Sequence, residues 1–160
     1  MGVSGSGKSV VAAELARSLG WTFAEGDAFH SAANRAKMAA GQPLTDEDRV
    51  PWLRRLAAWM GERDEAGEST VMSCSSLKRS YRDLLRQGAP DPHFVHLVGS
   101  KDLLLQRMRD REHFMPPALL ESQLETLQPL GADERGVTVD VSGTKAETLR
   151  AVRRRLALDE

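Results

Sequence analysis

Gly2-Val3-Ser4-Gly5-Ser6-Gly7-Lys8-Ser9 fits the pattern G-x-x-x-x-G-K-[ST] at every fixed position and runs into a helix-forming stretch. Each residue type has a task in phosphate chemistry. Glycines let backbone N–H groups converge on phosphate oxygens, the following helix N-terminus adds positive potential, Lys8 reaches the terminal phosphates, and the Ser9 hydroxyl suits Mg²⁺. Gly2, Val3, Ser4, Gly5, Ser6, Gly7, Lys8 and Ser9 are therefore the candidate ATP-binding residues. At average residue frequencies a chain this long matches the pattern by accident with a probability of roughly 0.5%.

The loop alone does not say where a phosphoryl group would go. An Asn-Lys-x-Asp string for reading guanine is missing, the nearest being Ser100-Lys101-Asp102. An arginine-rich segment instead points to a small-molecule kinase, because a flap that closes excludes water and prevents hydrolysis. In that segment Arg107, Arg109, Arg111 and His113 precede Phe114-Met115-Pro116. Arginines closing over a transferring phosphoryl group offset its charge, with Arg107 and Arg111 as the catalytic candidates.

On the acceptor side, Asp27 follows Gly26 at what reads as the C-terminal end of a strand, where sheets of this kind bind ligands. There it can orient an acceptor hydroxyl, take its proton late in transfer and bind Mg²⁺ through water. His30 is a candidate substrate contact, with a packed loop histidine as the alternative. Arg49, in Asp46-Glu47-Asp48-Arg49, is a cation near a helix N-terminus, where cations are unfavourable. That placement points to an anionic ligand, and the planar guanidinium suits a carboxylate. Lys78, Arg82 and Arg86 recur every four residues; Lys78 and Arg82 are further substrate candidates, a solvated basic face being the alternative.

The elements that must hold these residues follow from periodicity. Val11, Ala12, Leu15, Ala16 and Leu19 predict a helix after the loop, stopped at Gly20, and Trp21 to Ala24 predicts a strand. A short helix is expected from Ala32 to Ala40. A longer one bears Val50, Leu53, Leu56, Ala57 and Met60, with Thr45 and Asp48 at capping-box spacing and Pro51 in its first turn. Thr70 to Cys74, Phe94 to Val98 and Val137 to Val141 read as strands, and Ser75-Ser76 as the cap of a helix through Leu85. Helical patterns after Gly99 and from Ala118 to Leu127 flank the arginine-rich segment. Thr144 and Glu147 cap a last helix. Strands alternating with helices predict an α/β three-layer domain with a parallel sheet covered on both faces. A phosphate loop normally follows a buried strand, and we expect that strand to lie upstream of Met1.

The 160 residues suit one domain, 1–160, with a lid at about 107–118. Lysine plus arginine number 22 against 23 acidic residues, so no bulk charge favours nucleic acid or anionic lipid. The single cysteine, Cys74, allows no internal disulfide and no multi-cysteine zinc site, which fits the cytoplasm. No apolar stretch has the ~20 residues of a membrane helix.

Taken together the chain resembles the gluconate kinase family of small P-loop kinases, in the shikimate kinase-like group. The likeness rests on the loop; on Gly26-Asp27 with His30, Asn34, Lys37 and Met38; on Gly41-Gln42-Pro43-Leu44; and on Asp46 through Leu53. It continues in Cys74-Ser75-Ser76-Leu77-Lys78, Tyr81 through Arg86, His113-Phe114-Met115-Pro116, Ser122-Gln123 and Gly131-Ala132-Asp133-Glu134. The resemblance implies ATP-dependent phosphorylation of D-gluconate to 6-phospho-D-gluconate with Mg²⁺, by a cytoplasmic homodimer. It also implies a five-stranded parallel sheet of order 2-3-1-4-5 with a lid. By position it assigns ATP and Mg²⁺ to Gly2 through Ser9, the acceptor hydroxyl to Asp27, and the sugar acid to His30, Arg49, Lys78 and Arg82. Ser31 departs from the proline the family often has, and the flap is one residue short. A kinase of shikimate, of a nucleoside monophosphate or of another small metabolite is the rival enzyme, and a nucleotide-dependent binding module the rival without turnover.

Overall fold

Local pattern becomes structure close to where the sequence puts it. In the computed structural model, which describes residues 1–89, 91–110 and 116–158, α1 (Lys8–Leu19) leads to β1 (Thr22–Glu25) and a 3₁₀ turn (Gly26–Phe29). Then come α2 (Ala32–Ala39), α3 (Asp46–Glu65), β2 (Thr70–Ser73), α4 (Arg79–Arg86) and β3 (Phe94–Val98). The chain continues through α5 (Lys101–Arg109), α6 (Ala118–Thr126), β4 (Gly136–Asp140) and α7 (Lys145–Arg155).

Both expected capping boxes form. The Thr45 hydroxyl accepts from Asp48 N while the Asp48 carboxylate accepts from Thr45 N, and Thr144 and Glu147 do the same for α7. Ser31 caps α2 by accepting from Asn34 N at 3.1 Å. Two local expectations are corrected. Ser75-Ser76 does not cap α4: Ser76 turns the chain with a φ of 47°, and the helix starts only after Lys78. Its first N–H, on Arg79, is satisfied from a distance by the Gln128 side-chain oxygen at 2.8 Å. Pro51 lies in the second turn of α3, because that helix already begins at Asp46, so the Glu47 carbonyl has no N–H four residues on.

The strands pair in parallel as two halves. β1 runs beside β2 with Thr22 opposite Thr70, and β3 beside β4 with Phe94 opposite Gly136. In the expected order 2-3-1-4-5 these are the 2-3 and 4-5 pairs, and one continuous five-stranded sheet is not present among the described residues. Between the halves stands Met1, whose carbonyl accepts from Leu97 N at 2.9 Å and whose N–H donates to Val95 O. Gly2 N donates to Ser75 O at 3.1 Å on the other side.

Helices cover both faces. Val11, Leu15 and Val152 of α1 and α7 pack with Leu97 and Val139 on one face, and Trp52, Leu53, Leu56, Tyr81, Leu85, Leu104 and Leu120 pack with Phe94 on the other. Strand alternation on β3 divides its side chains between these two cores. This is the α/β three-layer class. Among the described residues no helix is long and apolar enough to cross a membrane.

Candidate active site

Backbone geometry makes the loop a receptor for anions. Gly5 and Gly7 have φ of 80° and 86°, in the left-handed region where a side chain is strained. A Cβ on Gly5 would also lie 2.7 Å from the Leu104 carbonyl oxygen. Gly7 stands as N-cap of α1 and supplies no side-chain cap, so the first N–H groups of that helix face the loop with their positive end of the dipole. The Ser6 hydroxyl donates to Val3 O at 2.7 Å and Lys8 Nζ donates to the same oxygen at 3.0 Å, which holds the loop closed on itself. Ser4 N donates to Gln123 Oε1 of α6 at 2.7 Å.

Asp27 is positioned by α3. Its turn is held where Trp52 Nε1 donates to Gly26 O at 2.8 Å and Arg55 Nε donates to Phe29 O at 3.0 Å. Gly26 is required for a different reason: a Cβ there would lie 2.2 Å from the Ser73 carbonyl oxygen, so only glycine lets β1 and β2 close up at this point. Lys8, Asp27, His30, Arg49, Ser4 and Gln123 line one small cavity. These six residues come from four separate segments of the chain.

The electrostatics of this cavity suit proton transfer. Desolvation pushes the Asp27 carboxyl above the usual carboxylate range, partly offset by Lys8 and reinforced by Glu25. His30 is buried, stacked on Trp52 with ring centroids 4.0 Å apart, and its Nδ1 lies 3.4 Å from Asn34 Nδ2. Burial, then Arg49, Arg35 and Arg55, lowers its pKa to about 4, so it is neutral at pH 7. Arg49 is buried too, with Nη1 donating to the Tyr81 hydroxyl at 3.0 Å and its guanidinium 5.3 Å from the Tyr81 ring centre. Tyr81 in turn donates to Asp46.

The family model described as AAA domain matches residues 1–130. Gluconokinase of Gluconobacter oxydans (strain 621H) is 52% identical over 146 residues, covering 91% of this chain and 81% of that protein. The chain belongs to the gluconokinase family. Solved gluconokinase-family folds agree: a gluconokinase from Sinorhizobium meliloti 1021 aligns with a TM-score of 0.85 at 51% identity, covering 99% of this chain and 91% of that one. An unliganded sugar kinase from Janibacter sp. HTCC2649 aligns with a TM-score of 0.94 at 50% identity, covering 99% and 92%.

Not every expected residue of this gluconokinase-family chain joins the Asp27 cavity. Lys78 binds Asp46 at 3.0 Å and lines a shallower neighbouring cavity, which Arg49 and Leu44 share with the first. Arg82 was expected to touch the sugar acid, and its placement is otherwise. It is fully buried, with Nε and Nη2 on the Glu134 carboxylate at 2.6 and 2.7 Å and its remaining N–H groups on the carbonyls of Ser76, Leu77, Gln128 and Pro129. Arg86 donates to the same carboxylate at 2.7 Å. Arg107, expected over the phosphates, donates to Val141 O at 2.6 Å beyond the end of β4 and does not line the Asp27 cavity. Arg111 lies outside the described residues. Sequence reasoning assigned no role to Gln123; the Ser122-Gln123 string carried the only signal.

The residues present fit a nucleotide and its ion. The open space beside Gly7, where a Cβ would meet nothing within 4 Å, leaves the phosphate face of the loop unobstructed. Ser9, exposed in the first turn of α1, and Asp27 offer the hard oxygen donors Mg²⁺ takes alongside phosphates and water.

Proposed function

We propose that this protein transfers the terminal phosphoryl group of ATP to the 6-hydroxyl of D-gluconate, giving 6-phospho-D-gluconate. The observation that carries this reading is the single cavity shared by Lys8, Asp27, His30 and Arg49. It pairs a phosphate-binding lysine and a proton acceptor with a buried cation suited to a carboxylate.

Bound ATP supplies the phosphoryl group, and Mg²⁺ offsets its charge. The loop amides and Lys8 hold the phosphates, and Ser9 with Asp27 would hold the ion. Asp27 accepts a hydrogen bond from the 6-hydroxyl and takes its proton as the oxygen–phosphorus bond forms. The raised carboxyl pKa makes Asp27 a better base than an exposed aspartate. Arg49 binds the carboxylate end of the acid, and neutral His30 offers an uncharged hydrogen-bonding ring to its hydroxyls. In this reading the arginine-rich segment 107–118 is the lid and Arg107 and Arg111 are its candidates for the phosphates, which requires Arg107 to leave Val141 O. The remaining parts of the proposal, a homodimer in the cytoplasm, rest on the family likeness and the absence of any disulfide partner for Cys74.

ADP release with ATP and Mg²⁺ is measured against D-gluconate, shikimate, AMP and no acceptor. Gluconate-dependent release is expected, and preference for shikimate or AMP, or ATP binding without turnover, would overturn the reading. Arg49→Lys is expected to raise KM for gluconate about 10-fold with a smaller change in kcat, the loss of one charge-assisted hydrogen bond. An unchanged KM moves carboxylate recognition elsewhere.

A further inference from the structure

Asn34 of α2 is buried and stands apart from the lining of the Asp27 cavity. Its side-chain nitrogen, Nδ2, faces two other segments at once. It donates to the Asp48 carbonyl oxygen in the first turn of α3 at 2.9 Å and lies 3.4 Å from His30 Nδ1. Asp48 is itself held, its carboxylate accepting from Thr45 N and Lys37 Nζ at 2.9 and 2.8 Å. A carbonyl oxygen only accepts, so the bond to Asp48 decides which end of the Asn34 carboxamide is nitrogen.

That orientation decides the protonation of the histidine. Nδ2 has two hydrogens, one for Asp48 O and one for His30, so His30 Nδ1 accepts and carries no proton of its own. A proton on Nδ1, in either the neutral or the doubly protonated ring, would set donor against donor. The single proton of the neutral imidazole is then on Nε2. Turning the ring over would put Cδ2–H in front of the same amide, and stacking on Trp52 at 4.0 Å fixes the ring plane. Trp52 is pinned in its turn through Nε1 to Gly26 O at 2.8 Å. His30 lines the cavity, and its side-chain hydrogen bond among the described residues is the one on Nδ1. Nε2–H is thus the polar group that the ring keeps for a ligand.

We infer that Asn34 is a positioning residue: by donating to Nδ1 it holds His30 in the Nε2–H form, so that His30 serves the sugar acid only as a hydrogen-bond donor. This rests on the reading of His30 as a substrate contact in gluconate phosphorylation, and it gives that contact a direction. The group that meets Nε2 must offer a lone pair, as a carboxylate or hydroxyl oxygen does. Arg49, in the same cavity, is likewise a donor without acceptor capacity. Of the three side chains Asp27, His30 and Arg49, Asp27 alone accepts. The acid is therefore read as a set of acceptors at one end and as a hydroxyl donor at the other. A ligand bearing an ammonium group opposite His30 would set donor against donor and is rejected.

Long-range proton–nitrogen NMR of protein labelled with nitrogen-15 histidine, at pH 7, reads the proton on each ring nitrogen, and His30→Gln identifies the His30 signals by their loss. Ligand-free protein is expected to show a proton-bearing Nε2 and a bare Nδ1; a proton on Nδ1 would overturn the inference. Adding D-gluconate is expected to move the Nε2 signal with its proton retained. An unmoved signal at saturating gluconate, in protein that turns gluconate over, would also overturn it. Asn34→Asp puts an acceptor where the donor was, so Nδ1 is expected to gain a proton and KM for gluconate to rise about 10-fold, with a smaller change in kcat. Asn34→Leu, which neither donates nor accepts, is expected to give a mixture of the two ring forms and a smaller rise in KM. Wild-type ring form and KM in both folded variants would remove Asn34 from the role. The wild-type spectra do not depend on either variant folding. The ligand-free spectrum involves no substrate, so its failure and failure of the gluconate assay are separate results.

Discussion

Replacing Asp27 with asparagine is expected to lower kcat with gluconate at least ~100-fold, the low end for a positioned acid-base group. ATP binding should persist, because Lys8 and the loop amides are untouched. The wild-type rate should fall as pH drops and the Asp27 carboxyl, which burial raises in the ligand-free enzyme, becomes protonated. Protonated Asp27 cannot accept the hydroxyl proton. That acid limb should vanish from the residual activity of the variant, and near-normal turnover would remove Asp27 from the mechanism. Stability supplies the control for unfolding. A carboxyl whose pKa is raised on folding opposes folding above that pKa and has no effect below its unfolded value. Asp27→Asn should therefore leave Tm at pH 7 unchanged or higher, while catalysis collapses.

The second large effect is on folding. Glu134→Ala leaves the Arg82 guanidinium fully buried without its carboxylate, and breaking such a pair costs about 3–5 kcal/mol. For a chain of this size Tm should drop by about 10 °C, read by thermal denaturation. Substituting both partners with apolar residues, Arg82→Met with Glu134→Leu, should restore much of the loss, because the uncompensated charge is then gone. The pH dependence has a definite sign. Bonds from Arg82, then the Gly131 N–H and Arg86, hold the Glu134 carboxyl far below its ordinary value against the desolvation that opposes them. Its contribution is thus fully present above the unfolded carboxylate pKa and lost as pH falls towards the folded one, so the gap between wild type and Glu134→Ala should narrow in acid. The double variant also tests ligand contact. A KM for gluconate raised 10-fold in a well-folded double variant would return Arg82 to the substrate site.

What could be read from the sequence was what is decided locally. The loop, both capping boxes and the alternation of strands with helices depend on residues three or four apart, and each formed where its spacing put it. The place of Asp27 at the end of β1 was legible because a short polar run marks a strand end. Arg82 was misread because a four-residue spacing describes a helix face and says nothing of what covers it; its partner Glu134 lies 52 residues away. The α4 cap failed for the same reason, since Gln128 supplies the bond that a local serine was expected to supply. Gln123 was missed because only the packing of α6 against the loop brings it to Ser4. The Arg49 to Tyr81 bond also needs two helices to meet, α3 and α4, although the unfavourable placement of Arg49 in the first turn gave a hint that composition could not.

Cys74 gives the central sheet a built-in clock. As the chain's single sulfhydryl, buried and with burial pushing its thiol up, it should react with a thiol reagent only during moments when the packing around the end of β2 opens. The labelling rate then counts those openings directly, with no probe to install and no second site to subtract. A ligand that tightened the loop through Gly2 and Ser75 would slow the count.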